Sequence, residues 1–292
     1  MTPALTRRRF LAISAAAACR PGAGRAATWQ GRGLGAALSV RLEGLDPAMT
    51  PRVFSRIEAE VGRIEAIASL HRDSALTRLN RDGRLAWPEA DLRALLDLAG
   101  QVHAATGGAF DPTVQPLWLA VAQGGDVQAA RARIGWDRVR IAPDGIRLGR
   151  GQALTLNGIA QGWAADRIAA ILRAEGLGNL LIDMGEIAAV GRRADGAVWR
   201  AAIADDRGRL IAQVGLADRA LATSSPRGTL IGAGLPHILG PDGQPTLWST
   251  VAVSAPEAAV ADALSTAFCL MDRAAIDRAL AGFAGARIET LA

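Results

Sequence analysis

Leu156-Asn157-Gly158-Ile159-Ala160-Gln161-Gly162-Trp163-Ala164-Ala165-Asp166-Arg167 runs from a loop into a helix, with glycines at the junction and an alanine-rich helical stretch beyond it. That helix is expected to begin near Gly158 and to stop at Gly176, since glycine takes the left-handed conformation after a helix without steric penalty. Upstream, Thr50-Pro51 opens a helix whose Val53, Ile57, Val61, Ile64 and Ile67 form one apolar stripe, with Thr50 expected as the cap and Pro51 in the first turn. Another helix is expected from about Pro88 to Ala105, ended by Gly107-Gly108. Strand-like runs occur at Ala37 to Leu42, Val139 to Ile141, Leu180 to Ile182, Trp199 to Ala204, Leu210 to Val214 and Thr250 to Val253, before a helix from about Ala258. Strands and helices do not alternate regularly, which predicts an α+β fold with mixed or antiparallel sheets rather than a doubly wound parallel one. Residues 27–292 read as one unit, with no repeat and no low-complexity linker.

Two stretches suggest chemistry. The free N–H groups and positive dipole end of the helix near Gly158 suit a pyrophosphate, although Gly158 and Gly162 equally suit close packing. In Asp262-Ala263-Leu264-Ser265-Thr266, Asp262 and Thr266 share a helix face. A carboxylate with a neutral hydroxyl suits Mg2+, which takes a few protein oxygens together with substrate phosphates. An aspartate in a first helical turn is also an ordinary cap.

Three more stretches are Ser69-Leu70-His71-Arg72-Asp73-Ser74-Ala75-Leu76-Thr77-Arg78-Leu79-Asn80, Thr106-Gly107-Gly108-Ala109-Phe110-Asp111-Pro112-Thr113-Val114, and Ala222-Thr223-Ser224 followed by His237-Ile238. All five, in order along residues 34–272, resemble the ApbE family of FAD:protein FMN transferases. The resemblance implies FAD contacts at Leu34, His71, Ala109, Phe110, Asp111, Thr155, Gln161 and Ile238, and a metal site from Asp262, Thr266 and the Gly158 carbonyl. His237 is placed as a general base, a cofactor hydrogen-bond partner or a structural histidine, and His103 as structural. The chain departs from the family at His71, where tyrosine or tryptophan is common, at Thr155 and Gly240, where aspartate is usual, and at Gln161, where lysine is common.

The implied reaction is Mg2+-dependent transfer of the FMN half of FAD to a threonine of an acceptor flavoprotein, with release of AMP. A membrane-bound electron-transfer subunit, such as one serving nitrous oxide reduction, is a natural partner. An FAD pyrophosphatase that makes FMN and AMP, and a non-enzymatic exported FAD-binding protein, are the alternatives.

Composition agrees with a globular protein: half of the 292 residues are hydrophobic. The 33 basic residues, all arginine, against 28 acidic ones leave only +5, with no basic stripe interleaved with aromatics, so nucleic acid is not an expected partner. Thr6-Arg7-Arg8-Arg9-Phe10-Leu11, the apolar run to Ala18 and the small residues to Ala26 read as a twin-arginine signal over residues 1–26, implying a periplasmic protein. A lipid anchor at Cys19 is not expected, because Ala16 stands where such a site has leucine. Cys19 and Cys269 are the only cysteines, so the chain without its signal cannot form an internal disulfide.

Overall fold

The structure, a computed structural model, describes residues 26–292, and the twin-arginine stretch with Cys19 lies outside the described residues. The strands are β1 (Ala26–Gly33), β2 (Ala36–Glu43), β3 (Arg84–Ala86), β4 (Arg140–Ala142), β5 (Gly145–Arg147), β6 (Leu180–Asp183), β7 (Ile187–Val190), β8 (Trp199–Ala204), β9 (Leu210–Leu216), β10 (Arg219–Ser224), β11 (Leu230–Ile231), β12 (Leu235–Pro236), β13 (Val251–Ala255) and β14 (Arg287–Leu291). The helices are α1 (Thr50–Ala68), α2 (Ala75–Asp82), α3 (Ala90–Ala105), α4 (Gln115–Gln123), α5 (Val127–Arg131), α6 (Ala160–Ala174), α7 (Ala258–Phe268) and α8 (Arg273–Leu280).

The main sheet has the order β1-β2-β6-β7-β10-β13-β14, and every neighbouring pair is antiparallel. Its central strands are covered on both faces. Along β13, Val251, Val253 and Ala255 join the large helical core, while Ala252 faces a second cluster with Trp199, Ile203 and Leu216 of the β8–β9 ribbon. The same period of two divides β10 into Ala220 and Ala222 on one side and Leu221 on the other. The expected α+β class with antiparallel sheets is what the chain forms.

The α1 stripe is buried as read, but Thr50 is not its cap. A short 3-10 turn, Pro47–Met49, precedes α1, and Asp46 caps that turn by accepting from the Ala48 N–H at 2.9 Å. Thr50 is therefore already helical, and Met49 is the residue before it.

Helices α6 and α7 lack side-chain caps of their own and supply each other's. Asp166 of α6 accepts from the N–H groups of Ala258 and Ala259 at 2.8 and 2.9 Å. Asp262 of α7 accepts through Oδ2 from the Gly162 N–H at 3.0 Å. Orphan first-turn amides of both helices are thus satisfied across the junction. The approach needs glycine: a Cβ on Gly162 would lie 2.2 Å from the Ala258 carbonyl oxygen. Helix α7 packs on β10 and β13, and only Thr266 among its residues is not buried.

Candidate functional site

Every residue singled out above for the cofactor, the metal or catalysis lines one cavity of about 480 Å³. Leu34 and Gly35 form the two-residue turn between β1 and β2, both at positive φ (49° and 80°), which suits the right-handed twist of a hairpin. Glu65 holds this turn through the Leu34 N–H at 3.3 Å. His71 is exposed at the rim, on a loop fixed where its N–H donates to Ser69 Oγ (3.0 Å) and Ser74 Oγ donates to the Ser69 carbonyl (2.6 Å). Ser74 then caps α2 in a reciprocal box with Thr77.

Ala109, Phe110 and Asp111 follow α3. Asp111 Oδ1 accepts from the N–H and the hydroxyl of Thr113 at 2.8 and 2.6 Å, and burial leads in raising its carboxyl above the ordinary value. His103, read as structural, has Nδ1 3.0 Å from the Phe110 carbonyl and so holds this loop. Phe110 is 5% exposed and serves both core and cavity wall. Thr155 accepts from the Asn157 N–H at 3.2 Å, and Gln161 stands in the first turn of α6.

His237 has Nδ1 3.0 Å from the Pro226 carbonyl and 3.2 Å from that of Thr229. Carbonyls only accept, so Nδ1 carries the proton and Nε2 of the neutral ring is an acceptor. Burial lowers its pKa below the ordinary 6.5, which keeps the ring neutral. Ile238 lies beside it in the cavity wall.

The deep end is acidic. Burial, with Asp166 nearby, pushes Asp262 up to about 7 despite the bond from Gly162. Glu186 is raised well above its ordinary value by burial and then by Asp262, and it accepts from the Thr223 N–H at 3.1 Å. Asp183 is raised by burial as well. Sequence alone points to neither Asp183 nor Glu186; each is a single acidic residue around the Met184-Gly185 turn, where nothing in the residue pattern separates a cavity wall from a surface hairpin.

A divalent cation fits this donor set. Asp262 has one carboxylate oxygen engaged by Gly162 and the other without a hydrogen-bond partner among the described residues, and Thr266 lines the cavity with its hydroxyl-bearing side chain. Gly158 is close enough that a Cβ there would lie 3.0 Å from Thr266 Oγ1. Among the described residues no group of three or more His, Cys, Asp or Glu side chains forms a metal cage. The set is therefore a carboxylate and a hydroxyl with the Gly158 backbone close by, hard oxygen donors of the kind that suit Mg2+, which takes few protein ligands.

The sequence pattern of the ApbE family matches residues 34–287. The FAD:protein FMN transferase of Salmonella typhimurium is 26% identical over 274 residues, spanning 83% of this chain and 77% of that protein. Its counterpart in Klebsiella pneumoniae is 27% identical over 279 residues, spanning 85% and 79%. Among solved structures, the Pseudomonas stutzeri flavinyl transferase ApbE in its apo form superposes with a TM-score of 0.78 at 28% identity, covering 91% of this chain and 90% of that one.

Proposed function

Because the chain belongs to the ApbE family, we propose that this FAD:protein FMN transferase moves FMN from FAD to a threonine hydroxyl of an acceptor flavoprotein, releases AMP, and needs Mg2+. The observation that carries this reading is the convergence of motif residues from distant segments on one cavity, whose wall holds both an acceptor nitrogen of His237 and the hard oxygens of Asp262 and Thr266.

Ala109, Phe110, Leu34 and Ile238 offer the apolar surface for the rings of FAD, with His71 at the rim and Gln161, Thr155 and Asp111 supplying polar contacts. Asp262, Thr266 and the Gly158 carbonyl hold the cation, which when bound neutralises charge on the phosphate oxygens. The acceptor hydroxyl attacks the phosphorus on the FMN side. Its O–P bond forms as the bond to the AMP oxygen breaks, and the hydroxyl proton passes to His237 Nε2. Holding hydroxyl, phosphorus and base in one cavity supplies much of the rate.

Incubation with FAD, Mg2+ and a candidate acceptor, followed by intact-mass measurement of the acceptor, tests the proposal. An acceptor heavier by one FMN phosphoester and an equal amount of AMP are expected. Consumption of FAD with an unmodified acceptor threonine, using the natural acceptor, would turn the reading into a hydrolase. A membrane-bound electron-transfer subunit, including one serving nitrous oxide reduction, is the proposed acceptor, and the periplasm the proposed compartment. Export of a reporter fused to residues 1–30 that survives changing Arg7 and Arg8 to lysine would remove the twin-arginine route.

A further inference from the structure

Behind Thr266 stands a short line of hydroxyls, Ser224 and then Ser265, whose direction is set by where Ser265 gives its proton. Ser265 Oγ donates to the Asp262 carbonyl at 3.0 Å. That oxygen can only accept, and a serine has one proton to give, so Ser265 Oγ is an acceptor for its other neighbour. The neighbour is Ser224, at the end of β10, with Oγ 2.8 Å from Ser265 Oγ. With the Ser265 proton given to the Asp262 carbonyl, the Ser224 proton goes to Ser265. Ser224 Oγ can then only accept on its remaining side, where Thr266 Oγ1 lies 3.4 Å away. Ser265 is 0% exposed, so no solvent competes with the Asp262 carbonyl for its proton.

We propose that Ser224 and Ser265 are positioning residues that turn the Thr266 proton away from the cavity, presenting its oxygen lone pairs to a divalent cation. The inference rests on the cation site described above and adds to it the two serines that prepare one ligand. Ser224 lines the cavity wall, whereas Ser265 does not touch the cavity at all. Removing Ser265 leaves the Ser224 proton free to swing to Thr266, which reverses the line and turns the Thr266 proton toward the cavity. A side chain outside the cavity would thereby weaken cation binding.

The test is Mn2+ titration of wild type, Ser224→Ala, Ser265→Ala and Ser224→Thr, following free ion by its electron paramagnetic resonance signal, with FAD affinity in excess chelator measured alongside. Both alanine variants are expected to bind Mn2+ about tenfold more weakly, the scale of losing a partner that orients a ligand. Ser224→Thr, which keeps the hydroxyl, is expected to bind as wild type does, and metal-free FAD affinity is expected to hold in all four. Thermal midpoints identify any variant that does not fold. Unchanged Mn2+ affinity in a folded Ser265→Ala overturns the relay, as does unchanged affinity in Ser224→Ala should Ser265→Ala not fold. A wild type that binds no Mn2+ overturns the cation site itself, and the relay with it.

Discussion

Alanine at position 162 would put a methyl group 2.2 Å from the Ala258 carbonyl oxygen, 2.5 Å from its carbon and 2.8 Å from Ala259 Cα. All three are backbone atoms at the buried start of α7, so no side chain can swing aside. The helices must separate by roughly 1 Å to restore van der Waals contact, an overpacking that costs about 1–3 kcal/mol. Separation also stretches the Asp262 bond to Gly162 and the Asp166 bonds to Ala258 and Ala259, each a capping contact worth about 0.5–2 kcal/mol. Better helix propensity returns about 1 kcal/mol at most. We expect Gly162→Ala to lose about 3 kcal/mol, or about 6–12 °C in thermal midpoint for a chain of this size. Gly62 is the control: it lies in α1, and a Cβ added there would meet nothing within 4 Å. Gly62→Ala should gain about 0.5–1 kcal/mol. Scanning calorimetry of both variants decides. A Gly162→Ala protein as stable as wild type would mean that the helices do not meet this closely, and the reciprocal caps would go with them.

Asp262→Asn keeps an acceptor for the Gly162 N–H and removes the charge, so transfer should be lost in any Mg2+ concentration with little change in thermal midpoint; Asp262→Ala should lose about 1–3 kcal/mol as well, by orphaning that amide. The folded-state pKa of Asp166 is raised by burial to about 6, so its contribution to stability is complete below about pH 4 and lost as pH rises through about 6, roughly 3 kcal/mol in all. Urea unfolding of wild type and Asp166→Asn should therefore give a stability difference that shifts toward the variant across that window, and parallel pH profiles would refute the assignment. At saturating Mg2+, which favours ionised Asp262, neutral His237 with its pKa below 6.5 should give kcat/KM an acid limb below that value, and His237→Gln should lose that limb together with most of the rate. His71→Tyr should tighten FAD binding by about two- to tenfold through a larger stacking surface at the rim, read by flavin fluorescence, whereas equal affinities for wild type, His71→Tyr and His71→Ala would detach the loop from the flavin.

Elements with a clear period are the ones legible in the sequence. The α1 stripe and the β8 and β9 runs appear where alternation or helical spacing places them, and α3 and α6 end near the glycines expected to stop them. Strands β7 and β10 are not legible, since both are short, alanine-rich and covered on both faces, so no polar alternation marks them. The cap of α1 falls elsewhere than expected because Asp46-Pro47 opens a turn just ahead of Thr50-Pro51, and two such signals in a row cannot be ranked without the backbone. In the site, motif residues can be named one by one, but not what joins them. Asp262 reads as a possible cap for its own helix, yet it caps α6, and Ser224 stands in a quoted motif while its partner Ser265 lies 41 positions away. Glu186 carries no local pattern at all.

The exchange of caps between α6 and α7 also orders events on the ribosome. The bonds that join them span 92, 93 and 100 residues. At ordinary translation speeds the first turn of α6 emerges about 5–20 s before the residues that complete it. During that interval Gly162 has no carboxylate to bond, Asp166 has no amides to cap, and Gly158 has no Thr266 beside it. Helix α7 supplies all three at once, and in chain order it comes after every strand of the main sheet except β14. A nascent chain stopped short of Ala258 therefore holds only the α6 half of the junction, lacks Asp262 and Thr266, and has no place for a cation. Loading has to wait until α7 has been made, and a chain terminated before it cannot compete for metal.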